Sequence, residues 1–166
     1  GGAYREAREH LEVACALAPT LPPRAPIEQA RLHRMYAEAL DGVGEIDASG
    51  RQLMEALAAL GRPLPRSRAG WMALLAGQVA RQLWLRLVPG AHRAAPSRQA
   101  PLEEAAIAAS RLVAYYFFRN QMAELMASVT LASNLAESAG ADAPHARAGA
   151  FLAGMVGVMG LRSVAR

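Results

Sequence analysis

The chain has 166 residues, enough for one domain or a few small stacked units with a real core. It is 53% hydrophobic, 5% aromatic and 19% charged, which is too apolar for a disordered chain, and its lone Cys15 leaves no disulfide scaffold. The 18 basic residues against 14 acidic ones give a net charge of +4. All the bases are Arg, scattered and mostly beside acids as in Arg5-Glu6 and Arg8-Glu9, whereas a nucleic-acid binder gathers them on one face with stacking aromatics.

Helical periodicity dominates, and no alternating strand pattern is present. A first helix is predicted from Ala3 to Leu17, with Ala7, Leu11, Ala14 and Ala18 on one stripe, ending at Pro19 and a Pro-rich linker. A second runs from Pro26 to Gly42 with Leu32, Tyr36, Ala39 and Leu40 inward, and a third from Ile46 to Leu60 after the turn Gly42-Val43-Gly44. Gly61 stands where a left-handed C-cap belongs, with Pro63 and Pro65 behind it. Ser67 reads as the N-cap of a fourth helix, Arg68 to Val88. After a loop over 91–100, a fifth helix is expected from Pro101 to Phe118, with Glu103 and Glu104 in its first turn. Arg119-Asn120 turns the chain. A sixth helix spans Gln121 to Ala139 and closes at Gly140, and a seventh runs from Pro144 to Met159 before Gly160.

The turns carry the main signal. Tetratricopeptide hairpins place Gly between helices A and B, small and large apolar residues where the helices cross, and a closing Pro. The opening segment follows that order with Gly2, Tyr4, Ala7, Leu11, Ala14 and Pro19. The second hairpin has Tyr36, Ala37 and Leu40 before Gly44, then Leu53 and Ala56; the third has Leu112, Val113 and Tyr116 before Asn120, then Val129 and Ala132. Leu152, Ala153 and Val156 precede Gly160 in a last one. The turn positions 2, 44, 120 and 160 lie about 40, about 76 and about 40 residues apart, so the wide middle gap holds an irregular unit. Small residues belong at the crossings because a large side chain would force the helices apart.

With the segments Glu55 to Trp71 and Ala114 to Gly140, this pattern resembles the degenerate tetratricopeptide arrays of large bacterial signalling proteins, which pair such arrays with class III nucleotide cyclase or signal-transduction ATPase domains. The resemblance covers most of the chain and departs from tidier repeats at Arg119-Asn120, where Gly is usual, and at Glu137. It implies an all-α fold of about seven helices in antiparallel hairpins, stacked as a right-handed solenoid. The units fall at about 1–19, 26–62, 66–100 (irregular), 101–140 and 144–166 of one helical-repeat domain. No cyclase aspartate pair and no phosphate-binding loop is present, so neither activity carries over.

The chain begins on a B helix and ends soon after an A helix, so it reads as a piece of a longer array whose uncovered end helices can meet another copy. No stretch reaches the roughly 18 apolar residues that span a bilayer, since the longest, Gly149 to Leu161, is short and Gly-rich. The opening Gly-Gly-Ala shows no export signal, so a cytoplasmic setting is the expectation.

Chemistry is sparse. His10, His33, His92 and His145 lack metal-ligand spacing, Glu6 and His10 read as a solvated pair, and Cys15 reads as an inert thiol facing the core. Gly154, Gly157 and Gly160 have no preceding strand and no following Lys-Ser/Thr, so they read as packing glycines. Arg62, Arg66 and Arg68 beside Ser67 form a candidate anion site at a helix start, against the plainer reading of a solvated linker. Trp71, Met72, Leu75, Val79, Leu83 and Leu87 form an apolar stripe, widened by Trp84, Leu85 and Val88, that reads first as core and second as an association surface.

In the tetratricopeptide register the concave face takes Arg31, Arg34, Glu38 and Asp41 from the second hairpin and Ser110, Ala114, Phe117 and Phe118 from the third. Such a face would clamp an extended peptide with an acidic and an apolar anchor. The expected function is therefore a regulatory scaffold for a protein or peptide partner, or for neighbouring domains, without catalysis, cofactor or metal. The alternative is a helical sensor enclosing a small apolar effector between Trp71, Trp84 and Phe117.

Overall fold

An Ala- and Leu-rich chain interrupted by Gly, Asn and Pro has every local reason to fold as helices with sharp ends. The computed structural model describes residues 2–20, 24–87 and 94–140, and all regular structure among them is helical. In order come α1 (Gly2–Leu17) with a 3-10 turn at Ala18–Thr20, α2 (Pro26–Gly42), α3 (Ile46–Ala59), α4 (Arg68–Leu87), α5 (Pro96–Phe118) and α6 (Met122–Ala139). The expected seventh helix and its Gly160 turn lie outside the described residues. The chain divides into two compact units, Gly1–Pro65 and Arg66–Arg166, and the division falls after the Pro63-Leu64-Pro65 segment.

In the first unit α2 lies between α1 and α3. Its Ala30, Leu32, Ala37, Ala39 and Leu40 are buried, while α3 contributes Ser49, Gly50, Leu53, Ala56 and Leu57. Ala37 and Ala56 are fully buried, so the alanines assigned to the helix crossing stand in the core. Helix α1 has no fully buried residue; its stripe of Ala7, Leu11, Ala14 and Ala18 is half-buried. The Tyr4 ring occupies the space that a Cβ on Gly42 would need, and the Arg8 guanidinium lies 3.1 Å from the Glu45 carboxylate. His33 Nδ1 lies 2.7 Å from Gln52 Oε1, joining α2 to α3.

The two hairpins turn in the same way. After α2, Gly44 has φ 84°, its N–H donates to the Asp41 carbonyl at 3.0 Å, and the Glu45 N–H donates to Leu40 at 2.9 Å. After α5, Asn120 has φ 55°, its N–H donates to Phe117 at 3.0 Å, and the Gln121 N–H donates to Tyr116 at 3.0 Å. Both are Schellman caps, in which a left-handed residue lets the chain satisfy two orphan carbonyls before the next helix begins. Three residues connect the helices in each case, 43–45 and 119–121. The inward positions follow the same offset of 76: Ala37 and Val113, Leu40 and Tyr116, Leu53 and Val129, and Ala56 and Ala132 are all buried.

In the second unit α6 packs against both α5 and α4. Ser67 caps α4 as its sequence position implies, its Oγ accepting the Gly70 N–H at 3.1 Å. The seam between α4 and α6 is polar. Asn134 Nδ2 donates to the Gln78 carbonyl at 2.9 Å and to Gln78 Oε1 at 2.7 Å, and Arg81 Nη2 donates to Ser138 Oγ at 2.8 Å. Ser138 Oγ in turn donates to the Asn134 carbonyl at 2.7 Å, and the Ser138 carbonyl accepts the Ala94 N–H at 3.0 Å.

Two local expectations are corrected. Helix α5 begins at Pro96, not Pro101, so Pro101 lies inside it and Glu103 and Glu104 lie beyond the first turn. Proline at the first helical position sacrifices no hydrogen bond, and Ala95 takes the extended backbone (ψ 147°) favoured before proline. Pro101, five residues on, lacks the N–H that would reach the Ser97 carbonyl, so one bond is missing near the start of the helix. The stripe of α4 is not core throughout: Trp71 is 6% exposed, but Met72, Val79, Leu83 and Leu87 are exposed because α6 packs on the opposite side, toward Gln78.

Candidate partner-binding surfaces

With one side of α2 against α1 and another against α3, a third side stays open, and it carries Arg31, Arg34, Glu38 and Asp41 at helical spacing. Arg31 and Asp41 are exposed, while Arg34 and Glu38 are half-buried and joined in an ion pair along the helix. An i,i+4 pair of this kind holds its side chains in register at modest energy, on the order of 0.3–0.5 kcal/mol. The surface is a charged ridge rather than an apolar groove. Its flank toward α1 holds Tyr36, whose hydroxyl is pushed above its ordinary pKa by burial, with Glu12 adding to the shift.

The C-terminal end of α5 is aromatic. Tyr116 is buried, meeting Trp71 edge to face at 5.4 Å between centroids and Tyr115 at 5.0 Å. Burial drives its hydroxyl far above the usual tyrosine range, and Tyr115 and Glu124 add to the shift. Next along the helix, Phe117 and Phe118 meet edge to face at 5.7 Å between centroids and are 52% and 73% exposed. Arg119 lies over the Tyr115 ring at 5.7 Å, and exposed Met122 opens α6 on the other side of the turn. The result is an apolar, aromatic corner with a cationic edge, built on a rigid cap. The sequence pattern places Trp71 near Phe117 only in the sensor alternative, and it does not bring in Met122, which lies beyond the α5 face.

Ser110 is buried, and its hydroxyl donates to the Ile107 carbonyl of its own helix at 2.8 Å. It supports α5 rather than presenting a polar group. The α2 residues and the α5 residues belong to different units, so each surface stands by itself. The candidate anion cluster is likewise divided: half-buried Arg62 belongs to the first unit, and exposed Arg66 and Arg68 to the second. Ser67, between them, spends its hydroxyl on the cap of α4.

Trp71 and Trp84 lie on different sides of α4, the first buried against Tyr116 and the second 63% exposed. Cys15 is half-buried, and burial raises its thiol pKa against the lowering effect of Arg24. His10 and Glu6, 4.0 Å apart, are both largely exposed. Among the described residues no three His, Cys, Asp or Glu side chains gather as metal ligands, and no helix is long and apolar enough to cross a membrane. Compared with known protein families, curated proteins and solved structures, the chain matches none.

Proposed function

We propose that the chain is a tetratricopeptide-like helical-repeat module of a larger signalling protein, which captures a protein or peptide partner and performs no catalysis of its own. The observation that carries this reading is the exposed Phe117–Phe118 pair at the end of a hairpin. Two adjacent aromatic rings held on a rigid turn offer large contact area at small entropic cost, which is the chemistry of an interaction hot spot. The repeat reading is supported by the matching Schellman turns at Gly44 and Asn120 and by the shared register of buried positions.

The partner segment that fits best is extended and mostly apolar, with an acidic residue near its anchor to meet Arg119. The α2 ridge of the first unit is a separate candidate contact, with Arg31 and Asp41 suited to complementary charges. The sensor alternative has weaker support, since Trp71 is buried against Tyr116 while Trp84 is exposed on another side of α4.

A thermal-shift screen separates the two classes, because a ligand that binds only the folded state raises its melting temperature. Peptides or proteins should stabilise the chain while small apolar molecules leave it unmoved; the reverse result would favour the sensor. The combined variant Arg34→Ala and Phe117→Ala should abolish partner capture with helicity intact. Unchanged capture would remove the surface from the account.

A further inference from the structure

Beyond the buried Trp71, helix α4 turns polar side chains toward its neighbour and apolar ones outward. Its polar side chains Gln78 and Arg81 bond to α6, while its solvent side carries Leu83, Trp84 and Leu87 at 58%, 63% and 77% exposure, with exposed Met72 and Val79 at one margin. An uninterrupted apolar helix face with an open Trp is a strong departure from ordinary surface composition and marks a contact. We propose that this face is a self-association surface, on which α4 of a second copy of the chain docks antiparallel about a two-fold axis at Ala80. The inference stands independently of the partner-binding reading.

The occupant follows from how size is distributed along the face. Its first half is small, with exposed Ala73, Ala76 and Gly77, and a Cβ built on Gly77 meets nothing within 4 Å. Its second half is large, with Leu83, Trp84 and Leu87. A two-fold at Ala80 sets each half against the other: Ala76 opposite Leu83 of the second copy, Gly77 opposite Trp84, Ala73 opposite Leu87, and Ala80 opposite itself. The bulky side chains of one copy then enter the shallow half of the other, which is the self-complementarity an isologous contact requires. No charged side chain among those described lies on this face, so the pairing buries no unpaired ion. The open apolar side chains offer roughly 600 Å² per copy, so a symmetric pair buries about 1,200 Å², within the range of small specific interfaces.

The test is sedimentation equilibrium of the full 166-residue chain up to several hundred micromolar, with the Ala80→Glu variant beside it. A concentration-dependent dimer is expected, weakened at least tenfold by Ala80→Glu because the axis brings the two carboxylates together, with far-UV circular dichroism unchanged. In a Cys15→Ser background, Ala80→Cys should form an intermolecular disulfide when oxidised with diamide. Ala69→Cys, on the same face but about 33 Å from its symmetry mate, should not. A monomer at every concentration would overturn the proposal, as would a dimer indifferent to Ala80→Glu or cross-linking at 69 equal to that at 80. A monomer whose Trp84 is shielded from quencher would show that another part of the same chain covers the face.

Discussion

Replacing Gly44 by alanine isolates the energetics of the hairpin turn. Gly44 holds φ 84°, and a Cβ there meets no atom within 4 Å, so the substitution introduces no clash with neighbours. Its whole effect is backbone strain, about 1–2 kcal/mol for a left-handed non-glycine residue. The lower entropy of the unfolded alanine chain offsets part of that, about 0.4–1 kcal/mol. A net loss of about 1 kcal/mol lowers the melting temperature of a unit this size by roughly 4–8 °C. Gly44→Asn should fall between glycine and alanine, because asparagine is what the second hairpin uses at the same place, with φ 55° at Asn120. The reciprocal Asn120→Gly should be neutral or slightly stabilising. Thermal denaturation followed by far-UV circular dichroism measures all three. Gly44→Ala as stable as wild type, or Gly44→Asn as damaging as alanine, would refute a left-handed cap at this turn.

Trp71→Ala should destabilise the second unit by about 3–5 kcal/mol, the usual loss for a buried aromatic, whereas Trp84→Ala should change monomer stability little; chemical denaturation of each distinguishes the two roles. Asn134→Ala removes a buried donor from Gln78 and should cost about 1–3 kcal/mol by the same assay, more than Arg81→Ala at the exposed end of the seam. The folded pKa of Tyr116 lies above its unfolded value near 10, so its contribution is complete below about pH 10 and is lost as pH rises further, because only the unfolded form ionises. Stability should fall there by up to about 1.4 kcal/mol per pH unit for this group, and Tyr116→Phe should flatten that dependence in denaturant titrations across pH.

The punctuation of the helices was legible in the residues, and their surroundings were less so. Ser67, Gly44, Gly61, Asn120 and Gly140 announce their roles because a cap and a left-handed turn are local events governed by a few side chains. The start of α5 is ambiguous in the sequence because Pro96 and Pro101 both suit a helix start, and the extended Ala95 before Pro96 settles it in the fold. The side of α4 that meets α6 was hidden for a tertiary reason. Its apolar stripe is strong, yet the seam is built from Gln78, Arg81, Asn134 and Ser138, whose hydrogen bonds come from a helix more than fifty residues away. The repeat register points to Phe117 and Phe118, but the packing of Trp71 on the neighbouring Tyr116 is a contact between helices that periodicity cannot express.

The most direct test of the account is titration calorimetry with peptides selected against the chain from a display library, using wild type, Phe118→Ala and Trp84→Ala proteins side by side. The account predicts that selected peptides bind wild type and Trp84→Ala alike and lose at least tenfold affinity for Phe118→Ala, since Phe118 is the most exposed ring of the corner. Equal affinity for wild type and Phe118→Ala would contradict the claim that this aromatic corner captures the partner.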